Sequence, residues 1–207
     1  MPEQKEEEDM KREQQTLEYY SVNAESFVTG SLAADLSATR DRFAACLPAG
    51  SYILDFGCGS GRDTKAFLDA GFRVDAADGS PEMCARASAY TGIRVRNMLF
   101  GELDEHDKYD GIWACASILH LPEDELADVI HRIRTALKTG GVLYTSFKYG
   151  EGARERDGRF FTDFTEKTIL PFWESAASMR MIDMWITNDA RPGREHEQWL
   201  NLLARKE

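Results

Sequence analysis

The segment from Ile53 to Gly61 constrains the fold of this chain more than any other part of the sequence. It reads Ile-Leu-Asp-Phe-Gly-Cys-Gly-Ser-Gly, an apolar run that leads into an acidic residue and three glycines at alternate positions. Glycine lets the backbone approach a ligand closely, and nucleotide-like ligands bind at the first turn of a doubly wound α/β sheet. A dinucleotide-binding loop would need a glycine at position 62, where this chain has Arg62. The segment therefore predicts a strand followed by a binding turn of another kind.

Short apolar runs and helical patterns alternate after this segment, which predicts an α/β fold with a doubly wound, mostly parallel sheet and helices on both faces. The predicted strands are 52–56, 72–77, 93–95, 111–114 and 142–147, with a closing pair near 179–186 and 199–203. Helices are predicted at 61–70, from Pro81 after a Ser80 cap, along the apolar stripe 126–137 up to Gly140-Gly141, and near 166–177, and two more before the first strand. Residues 148–158 are predicted to form a long loop.

Charge and composition limit the function classes. The 207 residues carry a formal net charge of −11, which argues against a nucleic-acid partner because phosphate backbones require a basic surface. No signal peptide or apolar stretch long enough for a membrane is present, so we expect a cytoplasmic protein, a monomer or homodimer. Residues 1–16 are expected to be a charged, flexible or frayed segment, and 17–207 a single domain.

The four cysteines, Cys46, Cys58, Cys84 and Cys115, are widely spaced. This spacing predicts reduced thiols and neither a disulfide framework nor a metal site.

The acidic residue followed by Gly-x-Gly-x-Gly resembles the first motif of class I S-adenosylmethionine-dependent methyltransferases, and the likeness extends from about Tyr52 to Ser146. It implies a Rossmann-like, seven-stranded sheet with an antiparallel last strand, and S-adenosylmethionine as cofactor. The residues that would then bind the cofactor are Tyr20, Asp55, Gly57, Cys58, Gly59, Gly61, Asp78, Gly79, Ser80, Met83, Met98, Leu99, Ala114 and Cys115.

Asp78 is the predicted ribose ligand because it ends the second strand, 17 residues after Gly61, where a carboxylate can accept hydrogen bonds from both hydroxyls. Asp75 is the competing candidate, and it lies on the opposite face of the strand. The glycine loop itself would accommodate the methionine part of the cofactor. Met83 would cover the adenine or belong to the core, and Met98 or Leu99 stands where the family often has an acidic residue.

The methyl acceptor is harder to infer. The chain has Cys115-Ala116-Ser117-Ile118 where enzymes that methylate nucleobase amines commonly have Asn/Asp-Pro-Pro-aromatic, so a small-molecule acceptor is favoured. His120 is a candidate base or orienting residue, and the alternative is a histidine satisfied at a helix entry. Cys115 is read as a small buried filler in preference to a catalytic thiol.

Arginines near two loops suggest an anionic acceptor, with Arg156, Arg191 and Arg194 as its contacts. The alternative is that neighbouring carboxylates pair with these arginines at the surface. The outline resembles the small tellurite-resistance-type methyltransferases, which implies a small, soft or anionic acceptor. Methylation of protein or RNA, and cofactor binding without catalysis, remain the competing functions.

Overall fold

Alternate residues of the central strands pack against opposite faces of one sheet. In this computed structural model, which describes residues 2–207 and the side chains from Met10 onward, Leu54 and Ile112 belong to one apolar cluster. Their neighbours Ile53 and Trp113 belong to a second cluster on the other face. Because side chains of a strand point alternately to its two faces, continuous apolar strands require helices on both sides.

The elements follow one another in a regular order. Helices α1 (Pro2–Val22), α2 (Ala24–Leu32) and α3 (Ser37–Ala44) precede the sheet. The sheet domain then runs β1 (Tyr52–Phe56), α4 (Arg62–Asp69), β2 (Arg73–Asp78), α5 (Pro81–Thr91), β3 (Arg96–Asn97), β4 (Tyr109–Ala114), α6 (Glu123–Ala136), β5 (Leu137–Lys148), β6 (Gly152–Arg156), β7 (Arg159–Asp163), α7 (Glu166–Ala176), β8 (Arg180–Asn188) and β9 (Gln198–Arg205).

Seven strands form the main sheet in the order β3-β2-β1-β4-β5-β9-β8, and β6 and β7 form a separate hairpin. β1 to β5 pair in parallel, and the last strand, β9, is antiparallel to both β5 and β8. The order reverses at β1, so the loops after β1 and β4 leave the same edge of the sheet and border a crevice. The predicted doubly wound sheet with an antiparallel last strand is confirmed.

Several predicted elements are corrected. The segment 148–158 is no loop, because Gly152–Arg156 pairs with Arg159–Asp163 as an antiparallel hairpin. Three helices precede β1 in place of two, and β3 lies at Arg96–Asn97, after the apolar run that was predicted to form it. The chain also passes from α6 into β5 at Leu137, ahead of the glycine pair.

The charged N-terminal segment continues the helix α1, which extends from Pro2 to Val22. Met1 and the side chains of residues 2–9 lie outside the described part of the chain, so the flexibility expected there stays a prediction. None of the described helices combines the length and the apolar character that a bilayer crossing requires.

Candidate cofactor and acceptor site

The glycine loop joins β1 to α4 through backbone conformations that favour glycine. Gly57 and Gly59 have φ angles of 81° and 53°, in the left-handed region. A Cβ at Gly57 would lie 2.4 Å from Cβ of Ser117, and one at Gly59 would lie 3.2 Å from the Phe27 ring. A methyl group at Gly57 would therefore collide with Ser117, and one at Gly59 would require the Phe27 ring to shift slightly.

Asp78 closes the other side of this loop. Its Oδ2 accepts a hydrogen bond from the Gly59 N–H at 2.9 Å, and its Oδ1 accepts one from the Ser80 N–H at 2.9 Å. Burial raises the pKa of the carboxyl, and these two bonds oppose that rise. Asp75 instead accepts a hydrogen bond from Tyr109 at 2.9 Å and pairs with Lys108 at 3.0 Å, away from the crevice.

Asp55 lies buried beneath the glycine loop. Burial, followed by the charge of Asp63, raises the pKa of Asp55 to about 7, although the Thr64 hydroxyl donates a hydrogen bond to it at 2.5 Å. Asp63 differs because Arg40 and Arg62 both contact it at 2.7 Å, and its pKa is lowered despite its burial. Asp55 is thus a carboxyl whose pKa burial raises, without a cationic partner of its own among the described side chains.

One cavity of about 490 Å³ contains most of the predicted site residues. This volume is typical of a small-molecule site. The predicted residues that line it are Tyr20, Asp55, Gly57, Cys58, Gly59, Asp78, Gly79, Met83, Met98, Leu99, Cys115, His120, Arg156, Arg191 and Arg194.

Three predicted residues do not line this cavity. Gly61 begins α4, and a Cβ there would lie 2.7 Å from Thr91 of α5, so this glycine permits close helix packing. Ser80 caps α5 by accepting a hydrogen bond from the Met83 N–H at 3.3 Å. Ala114 is fully buried in the core. These three residues support the site from outside the lining of the cavity.

The N-terminal helices cover the cavity. Ser21 of α1 hydrogen bonds Ser80 at 3.1 Å, and Ser31 of α2 hydrogen bonds Ser60 at 3.0 Å. The Tyr20 and Phe27 rings meet edge to face with their centroids 5.0 Å apart. The cover thereby makes polar contacts with both the glycine loop and the Asp78 turn.

A chain of hydrogen bonds links Tyr20 to His120. The Nδ1 atom of His120 lies 2.7 Å from the Phe160 carbonyl oxygen, which can only accept, so Nδ1 carries the proton. Nε2 therefore accepts the hydrogen bond from the Tyr20 hydroxyl at 2.8 Å. Burial, with a contribution from the charge of Arg159, lowers the pKa of His120 to about 4, so the imidazole is neutral at physiological pH.

The cysteines beside the loop are protonated thiols. Burial raises the pKa of Cys115 to about 12 and that of Cys58 well above its ordinary value. A thiol is a poor nucleophile compared with a thiolate. This favours the filler interpretation of Cys115.

The arginines at the far end of the cavity differ in how they are paired. Arg191 donates to Asp189 at 2.5 and 2.9 Å, and Arg156 contacts Glu197 at 3.5 Å. Lys148 is buried between the same two carboxylates. Arg194 lines the cavity with no carboxylate in ion-pair distance among the described side chains.

Sequence reasoning missed two features of this site and did not select a third. Arg159 belongs to the group of basic residues expected near the acceptor, but Arg156, Arg191 and Arg194 were selected from that group; Arg159 lines the cavity from β7. Ser117 fixes the loop after β4 by donating to the Phe56 carbonyl at 2.7 Å. Thr16 brings a buried, unpaired hydroxyl from α1. A glycine packed against a serine from a distant loop is a contact that no local pattern reveals.

The glycine loop and its surroundings match known proteins. Residues 53–141 match the family described as methyltransferase domain. N-terminal Xaa-Pro-Lys N-methyltransferase 1 of Rattus norvegicus is 38% identical over 101 residues, 45% of this chain and 45% of that protein. The chain thus spans about half the length of the curated relatives it first matches. 2-Methyl-6-phytyl-1,4-hydroquinone methyltransferase of a Synechocystis strain is 27% identical over 145 residues, 67% of this chain and 41% of that protein.

A solved structure resembles nearly the whole chain. It is 1,6-didemethyltoxoflavin-N1-methyltransferase of Burkholderia thailandensis with bound 1,6-didemethyltoxoflavin and S-adenosylhomocysteine. It is 27% identical, with a TM-score of 0.71, and the match covers 91% of this chain and 89% of that one. Residues 53–141 thus match a methyltransferase domain, and the sheet order and the glycine loop are consistent with that match.

Proposed function

We propose that this chain transfers a methyl group from S-adenosylmethionine to a small molecule. The observation that carries the proposal is one cavity lined both by the glycine loop with Asp78 and by the hydrogen-bonded Tyr20–His120 pair. The helices α1 and α2 cover part of the cavity, which suits an acceptor small enough to fit inside it completely. Bound S-adenosylmethionine supplies an electrophilic methyl group on a sulfonium.

The described residues fit such a cofactor. The glycine loop leaves space that a Cβ would fill, and Asp55 lies below it with no cation bound, where the methionine part with its ammonium group would be held. Asp78 keeps acceptor capacity on both oxygens for the ribose hydroxyls, since each carboxylate oxygen has more than one lone pair. Met83, Met98 and Leu99 would then surround the adenine.

The protein's main task is alignment in a dry site, because the methyl group is already reactive. The neutral His120 accepts the hydrogen bond from the Tyr20 hydroxyl. The Tyr20 oxygen, which also interacts with Arg159, keeps a second lone pair that can accept an N–H or O–H from the methyl acceptor. As that group attacks, its proton passes to Tyr20 while Tyr20 gives its own to His120. The Phe160 carbonyl stabilises the resulting imidazolium.

The anionic acceptor predicted from Arg156, Arg191 and Arg194 is part of this proposal. All three line the cavity, but Arg191 and Arg156 already contact carboxylates, which reduces what each can offer a substrate. Arg194 is therefore the best placed of the three. The likeness to tellurite-resistance-type enzymes stays a prediction.

Methylation of a protein N-terminus is the second candidate, because the relatives with 35–38% identity methylate N-terminal Xaa-Pro-Lys, as their names state. That identity is confined to 45% of this chain. The cavity is covered by α1 and α2, which does not favour a macromolecular acceptor.

The decisive experiment gives the protein methyl-labelled cofactor together with small-molecule and macromolecular fractions of a cell extract, and with a Ser-Pro-Lys peptide. We expect label in the small-molecule fraction, and much less label with Asp78→Ala at subsaturating cofactor. Label in the peptide or in protease-sensitive material would establish the second candidate. Cofactor binding without label in any fraction would instead indicate a binding module.

A further inference from the structure

Arg159 begins strand β7 and projects into a cage of aromatic rings. Its guanidinium lies 3.8 Å from the centroid of Tyr19, 5.2 Å from that of Phe161 and 5.8 Å from that of Tyr20. Only 9% of the residue is exposed. Stacking on rings satisfies the faces of a guanidinium but leaves the N–H groups at its edge in need of acceptors.

Only part of this edge has acceptors, among them the oxygen of Tyr20, whose pKa burial raises and the interaction with Arg159 lowers. The Nε atom is buried and has no hydrogen-bond partner. Among the described side chains the carboxylate in ion-pair distance is Asp157, which is 3.6 Å away and itself 61% exposed. Because that counter-ion is exposed and 3.6 Å away, it offsets only part of the desolvation cost of the buried guanidinium.

Neighbouring cations are different in this respect. Arg154, on the adjacent strand, stacks on the same Phe161 ring but is hydrogen bonded to Asp163. Arg191 and Lys148 are neutralised by Asp189 and Glu197. Arg159 is thus a buried arginine of the cavity whose charge the protein leaves largely unmatched.

Its position connects it to the proposed chemistry. Arg159 lines the same cavity as Tyr20 and His120, and its neighbour Phe160 provides the carbonyl that binds His120. Burial raises the pKa of Tyr20, and the charge of Arg159 opposes that rise. The same charge lowers the pKa of His120. An anion beside Arg159 would therefore lie next to the proton-accepting pair.

We propose that Arg159 binds the carboxylate of a planar, aromatic methyl acceptor, an inference that rests on the proposed function. Aromatic rings line this end of the cavity, which suits a flat acceptor. Arg159 is the buried cation beside these rings, and its unsatisfied N–H suits a carboxylate oxygen. Arg194 lines the same cavity without a carboxylate in ion-pair distance among the described side chains, so a phosphate ester is the competing ligand.

A structural role for Arg159, as a clamp between α1 and the hairpin, explains its stacking on Tyr19. It leaves the Nε donor of Arg159 unsatisfied, as are the Nε donors of Arg96 and Arg205 outside this cavity. The two roles make different predictions for ligand binding.

The test uses protein saturated with S-adenosylhomocysteine and three probes: benzoate, its neutral isostere benzamide, and phenyl phosphate. Calorimetry should show benzoate binding at least ~10-fold tighter than benzamide and than phenyl phosphate, since a hydrogen bond to a charged group is worth about 1.5–3 kcal/mol. Arg159→Met should abolish the preference, Arg159→Lys should keep part of it, and the matched control Arg154→Gln should keep it. Benzoate should also raise the pKa of His120, followed by NMR, in the wild type and not in Arg159→Met.

Equal affinity for benzoate and benzamide, no benzoate binding at millimolar concentration, or a preference that survives in Arg159→Met would overturn the assignment. Tighter binding of phenyl phosphate would replace the carboxylate with a phosphate ester. Failure of the proposed function is distinguishable, because it would appear as a wild-type protein that does not bind S-adenosylhomocysteine. If Arg159→Met does not fold, the preference of the wild type for benzoate over benzamide, and its partial loss in Arg159→Lys, still test the assignment.

Discussion

At the scale of single residues, Asp78 has two roles that a substitution can separate. Its oxygens hold the Gly59 and Ser80 N–H groups, and the same oxygens would bind the ribose of the cofactor. Charge-assisted hydrogen bonds of this kind are stronger than neutral ones. The carboxylate therefore determines both the shape of the loop and its affinity.

We predict that Asp78→Ala weakens binding of S-adenosylhomocysteine by about 10- to 150-fold, the equivalent of 1.5–3 kcal/mol. Gly59→Ala should also weaken binding, because a Cβ would lie 3.2 Å from Phe27 in a left-handed backbone conformation. Asp75→Asn is the matched control on the same strand. Calorimetry on folded variants checks this, and unchanged affinity in both site variants would disprove the assignment.

His120 gives a second prediction at this scale. Its pKa of about 4 means that it gains a proton only as the pH falls through that value, so NMR titration should find a neutral Nδ1–H ring from pH 8 down to pH 5. Tyr20→Phe removes the hydrogen bond to Nε2 and should slow turnover at least ~10-fold, while the affinity for S-adenosylhomocysteine changes little. A titration near pH 6.5 in the wild type would contradict the buried, neutral state.

Local sequence was sufficient to predict some of the site residues but not others. The loop from Gly57 and the position of Asp78 follow from a strand end and a turn, which are local features. The selection of Arg159 depends on which arginines find carboxylates, and Arg154, Arg156 and Arg191 find theirs. That outcome is settled by tertiary packing, which spacing does not encode.

At the scale of elements, the local sequence of β1 predicts the strand, whereas the local sequence of the hairpin β6–β7 does not. β1 is an uninterrupted apolar run that ends in glycine, and its observed bounds equal the predicted ones. The sequence Gly-Ala-Arg-Glu-Arg of β6 has no apolar alternation, because the strand is mostly exposed. β6 forms a strand because it pairs with β7, and its own residues do not predict that pairing.

The cover formed by α1 and α2 is the element whose behaviour we predict. It contacts the site through Ser21, Ser31 and Phe27, so a bound ligand should stabilise it. Amide hydrogen exchange over Leu17 to Thr29 should slow when S-adenosylhomocysteine is added, while exchange in α7 should not change. If the exchange rates in this segment are the same with and without saturating ligand, the aromatic residues there only pack against the core.

At the scale of the whole molecule, the buried carboxylates beneath the glycine loop link stability to pH. Asp63 joins α3, α4 and β4 through Arg40, Arg62 and the Trp113 N–H. Asp55 lies in the same layer without a cation, and its pKa rises from 3.8 to about 7. Between pH 3.8 and about 7, Asp55 is therefore mostly protonated in the folded protein and mostly ionised in the unfolded chain.

The sign of the effect follows from proton linkage. A carboxyl with a raised folded-state pKa binds more protons in the folded protein, so its contribution to stability is fully present below pH 3.8 and is lost as the pH rises towards 7. Asp55→Asn removes this dependence while keeping a polar group of similar shape. We predict that the free energy of unfolding of Asp55→Asn, relative to wild type, increases between pH 5 and pH 8 by on the order of 1–4 kcal/mol. Urea unfolding at several pH values measures it, and a difference between the two proteins that is constant over this range would show that Asp55 is ionised in the folded state.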